Sequence, residues 1–276
     1  MLTTIPQRTL ADRAMDLMLA TGPCDAERLA SEIMGLRAAS RAVSERLAVA
    51  LLAADPRVRQ LEDGRWALVA EAHGSPLIET CSFAVVDCET TGSRAQTSDR
   101  ITEVAIVVVH GARREMVFES LVNPGFSIPW RVAQLTGIND AMVRRAPLFD
   151  DIADQVVTAL AGRVFVAHNA RFDWAFLSAE IRRAKSHRLA GSHLCTVRLA
   201  KRLLPGLESG SLDALSWHFG LENPARHRAG GDAMATAQLL ERLILIAREQ
   251  GARTLADLHA MCRPRPKVKR PRKRRF

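Results

Sequence analysis

The spacing of apolar residues changes character near residue 75. Before it the period is helical: Leu10, Ala14, Leu17 and Met18 share one helical face, Ala26, Leu29, Ala30 and Ile33 a second, and Val43, Leu47, Ala50 and Leu51 a third. Past Pro56, Val58–Leu61 and Trp66–Val69 flank Glu62-Asp63-Gly64-Arg65, and an Asp-Gly pair between two short apolar runs predicts a hairpin. Glu71 to Thr80 carries the turn formers of a linker. Beyond it, Phe83–Cys88, Ile101–Val109 and Met116–Val122 read as three consecutive strands, and Val164–Ala167 as a fourth after intervening helices. Strands followed by helices predict an α/β class with a mixed sheet.

The expected organisation is a small domain over 1–75, a larger one over 76–250 and a basic, disordered tail over 251–276. Three helices and a hairpin resemble a winged-helix domain, in which the third helix, here about Ser44 to Ala54, enters a major groove and the hairpin is the wing. Residues 1–75 hold nine basic and ten acidic residues, however, so the electrostatic footprint of a DNA reader is missing. Protein contact or simple packing is the alternative use of that domain.

The chain has 276 residues and a formal charge of +9. That charge is local. Nine of the 39 Lys/Arg lie in Arg263–Phe276, which has no acid, and the remainder of the chain is formally neutral. Such an arm predicts salt-sensitive, sequence-independent affinity for a phosphate backbone, with a localisation signal or a solubility tail as the alternative. Five cysteines without paired spacing argue for reduced thiols and against a disulfide framework or a zinc site. The N-terminus has no signal-peptide pattern and no stretch approaches the ~20 apolar residues of a membrane span. A soluble cytoplasmic protein, with no membrane partner, is expected.

The chemistry-bearing residues are acidic. Strand positions two apart face the same way, so Asp87 and Glu89, at the end of an apolar run, aim two carboxylates at one point. Such a pair is costly beside a core unless a cation shares it, and carboxylate oxygens suit Mg²⁺ or Mn²⁺. Thr90-Thr91-Gly92 follows, where glycine allows close approach of a ligand. The run Val164–Ala167 leads through His168-Asn169 into a helix carrying Asp173, with Phe172, Phe176 and Leu177 on its buried side. Finally His227 precedes Gly230-Gly231-Asp232, where the two glycines are expected to break the chain ahead of a helix over Ala233–Leu245.

Asp87-x-Glu89, Asp173 and His227-x4-Asp232, in this order and with Leu135-Thr-Gly-Ile138, Ala167-His-Asn-Ala-Arg-Phe-Asp173 and Ser211-Leu-Asp-Ala-Leu215 between them, resemble the DEDDh exonuclease family, which includes the bacterial polymerase III proofreading subunit. The resemblance spans about residues 80 to 247. It implies an RNase H-like fold with a mixed five-stranded sheet, and 3′→5′ removal of nucleotides by two-metal phosphodiester hydrolysis with two Mg²⁺ or Mn²⁺. Asp87 would bridge both ions, Glu89 and Asp232 would complete the site that activates water, and Asp173 would act on the second ion largely through water. His227, an imidazole that titrates near neutrality, fits the general base. The resemblance makes Thr91, Gly92, Thr136 and Asn169 candidates for substrate binding. Leu135 and Ile138 are read as core, as are most of the aromatic stacking candidates Phe172, Trp174, Phe126 and Trp130. Glu103, Asp213 and His218 are read as structural or solvated.

The expected substrate is nucleic acid, single-stranded or frayed DNA in proofreading or repair, with RNA 3′-end trimming as the alternative. A second class is a non-catalytic nucleic-acid-binding adaptor; its signature, a lost acid or histidine, is not in the sequence. A polymerase or repair partner docking on 1–75 or 248–276 is a third expectation, without a short motif to name it.

Overall fold

The computed structural model describes residues 3–6, 9–36, 38–55, 57–68, 75–191, 193–223 and 225–263. Strand β1 (Thr3–Pro6), which the periodicity did not predict, pairs antiparallel with β8 (His187–Ala190). The next two elements begin where capping chemistry says they should. Thr9 opens α1 (Leu10–Thr21) through a capping box with Asp12, and the Asp25 side chain accepts from the Arg28 N–H to open α2 (Ala26–Ile33). Helix α3 (Arg41–Leu52) and the hairpin β2 (Val58–Gln60) and β3 (Trp66–Leu68) complete this unit. Met18, Leu29, Leu52 and Trp66 are buried in its core, and Trp66 also bridges to Cys24 between α1 and α2.

The main sheet follows from one long apolar strand. Strands β4 (Ser82–Thr90), β5 (Ile101–His110) and β6 (Arg113–Leu121) run antiparallel to their neighbours, and β7 (Val164–Ala167) and β9 (His193–Cys195) add parallel strands beyond β4, in the order β6-β5-β4-β7-β9. The mixed five-stranded sheet with flanking helices is the RNase H-like arrangement expected. Central β4 is covered on both faces. Phe83 and Val85 enter one core and Ala84, Val86 and Cys88 the other, so alternation puts Asp87 and Glu89 on the Phe83 side and Cys88 away from them.

Helices α4 (Trp130–Thr136), α5 (Asp140–Val143) and α6 (Phe149–Leu160) link β6 to β7. Helix α7 (Arg171–Lys185) packs with α6 on the Cys88 face, whereas α8 (Thr196–Leu203), α9 (Leu212–Phe219), α10 (Ala229–Glu249) and α11 (Leu255–Cys262) supply or flank the Phe83-side core.

Several expectations need correction. Helix α10 starts at Ala229, so Gly230 and Gly231 lie in its first turn and break nothing. Their role is steric: a Cβ at Gly230 would overlap a Glu119 carboxylate oxygen, and one at Gly231 the Ala225 carbonyl. Helix α11 lies inside the stretch expected to be tail, with Leu255 and Leu258 buried. It docks on the end of the expected linker, where Leu77 bridges Thr254 and the Ala256 N–H donates to the Ser75 hydroxyl at 2.8 Å. Most of the basic arm, residues 264–276, lies outside the described residues. Leu135, read as core, is exposed, and of the four aromatic candidates read mostly as core Phe172 and Trp174 pack into the second core while Phe126 and Trp130 are exposed. Among the described residues no helix is long and apolar enough to cross a membrane.

Candidate active site

Four carboxylates from three elements meet at the end of β4. Asp87 and Glu89 come from the strand itself, Asp232 from the first turn of α10 and Asp173 from the first turn of α7. One oxygen each of Asp87, Glu89 and Asp232 lie within 4.8 Å of one another. Asp173 reaches the same strand from the other side, where its carboxylate accepts from the Cys88 N–H at 3.2 Å.

Crowding shows in the acidities. Burial pushes Asp87 well above the ordinary carboxylate range, and the charges of Asp173, Asp232 and Glu89 push it further. Glu89 rises to about 7, chiefly by burial and then by the charges of Asp232 and Glu103, against the opposing pull of Arg228. Burial raises Asp173 to about 8 although backbone N–H groups oppose it. Asp232 is raised by burial and moderated by its hydrogen bonds. Partly buried acids in mutual repulsion are what a divalent cation relieves, and an all-oxygen donor set is the chemistry of Mg²⁺ or Mn²⁺. The residues present therefore fit a hard divalent metal.

The loop before α10 holds His227 at φ 58°, a left-handed conformation uncommon outside glycine and asparagine. Its backbone N–H donates to Asp232 at 3.1 Å, and its side chain is exposed at the rim. Asn169, at φ 70°, is likewise exposed, at the turn between β7 and α7. Thr91 is buried with its hydroxyl accepting from the Arg100 N–H, and Gly92 lies against Asp99, where any Cβ would overlap the carboxylate. The Thr136 hydroxyl is also engaged, donating to the Val132 carbonyl and accepting from the Ile138 N–H at the end of α4. The acids and the His227 backbone are thus brought together, while Thr91, Gly92 and Thr136 are held by contacts of their own and Asn169 stays exposed at its turn.

Asn223 and Arg228 escaped the sequence reading, and Glu103, read there as structural or solvated, has a defined part. The Asn223 amide donates to Asp232 at 2.5 Å and orients it. Glu103, which faces Glu89 across β4 and β5, is buried, accepts from the Arg228 guanidinium and caps the Ala229 N–H at 2.8 Å. That clamp ties the start of α10 to the sheet. An acid inside the apolar run Ile101–Val109 was a signal, because a buried carboxylate needs a partner. Asn223 sits in coil with no periodic context and gave none.

Known proteins place this arrangement. The family model described as Exonuclease (RNase_T) matches residues 84–240, more than half of the chain. DNA polymerase III subunit epsilon of Aquifex aeolicus is 31% identical over 163 residues, which are 59% of this chain and 80% of that protein. The 3′-5′ exonuclease DinG of Bacillus subtilis is 34% identical over 65% of this chain. The chain spans only 19% of DinG, and 29% of a Mycobacterium tuberculosis protein to which it is 41% identical. Among solved structures, exonuclease X in complex with 5′ overhanging duplex DNA aligns at a TM-score of 0.52 and 29% identity, covering 65% of this chain and 99% of that one. With the four carboxylates, the sheet and these matches in agreement, the chain belongs to the RNase T exonuclease family.

Proposed function

We propose that the chain is a divalent-metal-dependent 3′→5′ exonuclease that removes nucleotides from single-stranded or frayed DNA ends in proofreading or repair. The clustering of Asp87, Glu89 and Asp232, with Asp173 held against the same strand end, carries the reading. These acids would hold two Mg²⁺ or Mn²⁺. Such a pair stabilises negative charge on the attacking and leaving oxygens of an in-line displacement.

The remaining work falls to the chain. His227, exposed at the rim, takes the proton of the attacking water, and its backbone N–H together with the Asn223 amide holds Asp232 in one orientation. Glu103 and Arg228 fix the loop that carries both. Because the hydroxyls of Thr91 and Thr136 are already bonded internally, the loops Thr91-Gly92 and Thr136-Gly137 offer backbone and surface to a terminal nucleotide. The Asn169 side chain, exposed beside Asp173's helix, is free to meet a phosphate.

The test uses 5′-labelled single-stranded DNA and matched RNA with Mg²⁺, Mn²⁺ or chelator. Metal-dependent shortening from the 3′ end, lost in Asp87→Asn and slowed about 10²–10⁴-fold in His227→Ala, is expected. Shortening of RNA alone would move the substrate to RNA, and binding without cleavage of either strand would leave the adaptor reading.

A further inference from the structure

Tryptophan is costly to leave in water, yet Trp217 on α9 is 87% exposed, more than any other large apolar side chain among the described residues. Its place is informative. Asp213 stands one turn earlier on the same face of α9, and residues four apart on a helix are neighbours. The Asp213 carboxylate accepts from the Arg226 guanidinium, and Arg226 is the residue before His227. This ion pair ties the His227 loop to the face of α9 that presents Trp217. The segment that leaves α9 carries Asn223 and His227, whose amide and backbone N–H both donate to Asp232, so α9 leads directly into the loop that holds the acid cluster.

Basic residues lie on the segments next to α9. Arg226 is about half exposed, Lys201 is exposed with its stem packed against Gly210 just before α9, and His218 follows Trp217 directly. Of the other three tryptophans, Trp66 and Trp174 are packed in cores and Trp130 lies on α4 under the Arg131 guanidinium. An uncovered indole on a helix flanked by basic residues, joined to the loop that carries the acid cluster's His227 and Asn223, has the make-up of a base-stacking platform with phosphate contacts nearby.

We propose that Trp217 is a stacking subsite for an unpaired nucleobase of single-stranded nucleic acid, with Arg226 and Lys201 meeting its phosphates. This rests on the nuclease reading above and deepens it. A stacked base must be free of its complement, so the platform selects single strands and frayed ends over blunt duplex. The proposal also gives the Arg226–Asp213 pair a function: it keeps platform and general base in register.

The test measures binding of 5′-fluorescein-labelled oligo(dT) by anisotropy with chelator present, and 3′-end shortening with Mg²⁺, for the full chain, Trp217→Ala and Trp217→Phe. Trp217→Ala should weaken binding about five- to hundredfold and raise KM correspondingly, Trp217→Phe should restore most of both, and affinity for a blunt duplex should change by less than twofold. Thermal melting should not move, because the side chain touches little. Equal oligo(dT) affinity in Trp217→Ala and the parent chain, or equal losses on single strand and duplex, would overturn the subsite. The two readings fail separately: Trp217-dependent binding without nucleotide release removes the nuclease and keeps the platform, whereas release with an unchanged KM in Trp217→Ala does the reverse.

Discussion

At the residue scale the site is defined by acids held above their ordinary pKa. Glu89 and Asp173 titrate near 7 and 8 in the fold, against about 4 in an unfolded chain. A group whose folded pKa is raised contributes its stability below the unfolded value and loses it as pH rises through the folded one. The metal-free protein should therefore melt at a higher temperature at pH 5 than at pH 8. Millimolar Mg²⁺ or Mn²⁺ should raise the melting temperature at pH 8 and do little at pH 5. A metal-free melting temperature that is flat over this range would show that the acids do not repel one another. Asn223 gives a second prediction: Asn223→Ala frees Asp232 to rotate, and loss of such an orienting partner typically costs about 10- to 100-fold in metal affinity or activity. A Mg²⁺ titration of turnover checks it, and an unchanged midpoint and kcat would exclude the role.

At the element scale, the first turn of α10 sets Asp232 and is walled in on two sides. Alanine is better than glycine in a helix by about 1 kcal/mol, which would favour replacing either glycine. At Gly230 the wall is the exposed Glu119 side chain, which can swing away, so Gly230→Ala should be neutral or mildly stabilising. At Gly231 the wall is the backbone at Ala225, two residues before His227, and it cannot yield without moving the loop. Gly231→Ala should cost about 1–3 kcal/mol in denaturant unfolding and should lower turnover. Equal effects at the two positions would contradict the geometry. The same element shows the limit of periodicity: a Gly-Gly pair reads as a helix breaker, and only the neighbours of each Cα reveal that the helix runs through it.

At the scale of the whole molecule, the sheet core is closed at one side by α11, with Leu255 and Leu258 buried and Ile78 packed in the same cluster. Burying such a side chain is worth about 1.5–3 kcal/mol. Truncation after Gln250 should therefore lower the melting temperature by several degrees and expose apolar surface to a hydrophobic dye, whereas truncation after Arg263 should leave the melt intact and weaken binding to nucleic acid in a salt-dependent way. Identical melts for both truncations would mean that α11 does not belong to the core. The N-terminal unit has its own core, built on Met18, Leu29, Leu52 and Trp66, and its three helices and hairpin come in the order that suggested a winged helix. The family match begins at residue 84, so that likeness rests on element order.

Much of this was legible in the chain because it is local. Alternation along Phe83–Glu89 determined which face the first two acids take, helical periodicity placed the three N-terminal helices, and the order of Asp87, Glu89, Asp173, His227 and Asp232 identified the family. The rest was decided by contacts between segments far apart in sequence. Glu103 reaches Arg228 across 125 positions, Asp173 reaches the Cys88 amide across 85, and Arg226 holds Asp213 from the next segment. Whether a leucine or tryptophan is covered depends on what folds over it, so Leu135, Trp130 and Trp217 became exposed surface only in three dimensions. Sequence carries the identity of a group and its local direction, whereas burial, pairing and acidity belong to the surroundings that tertiary structure brings to it.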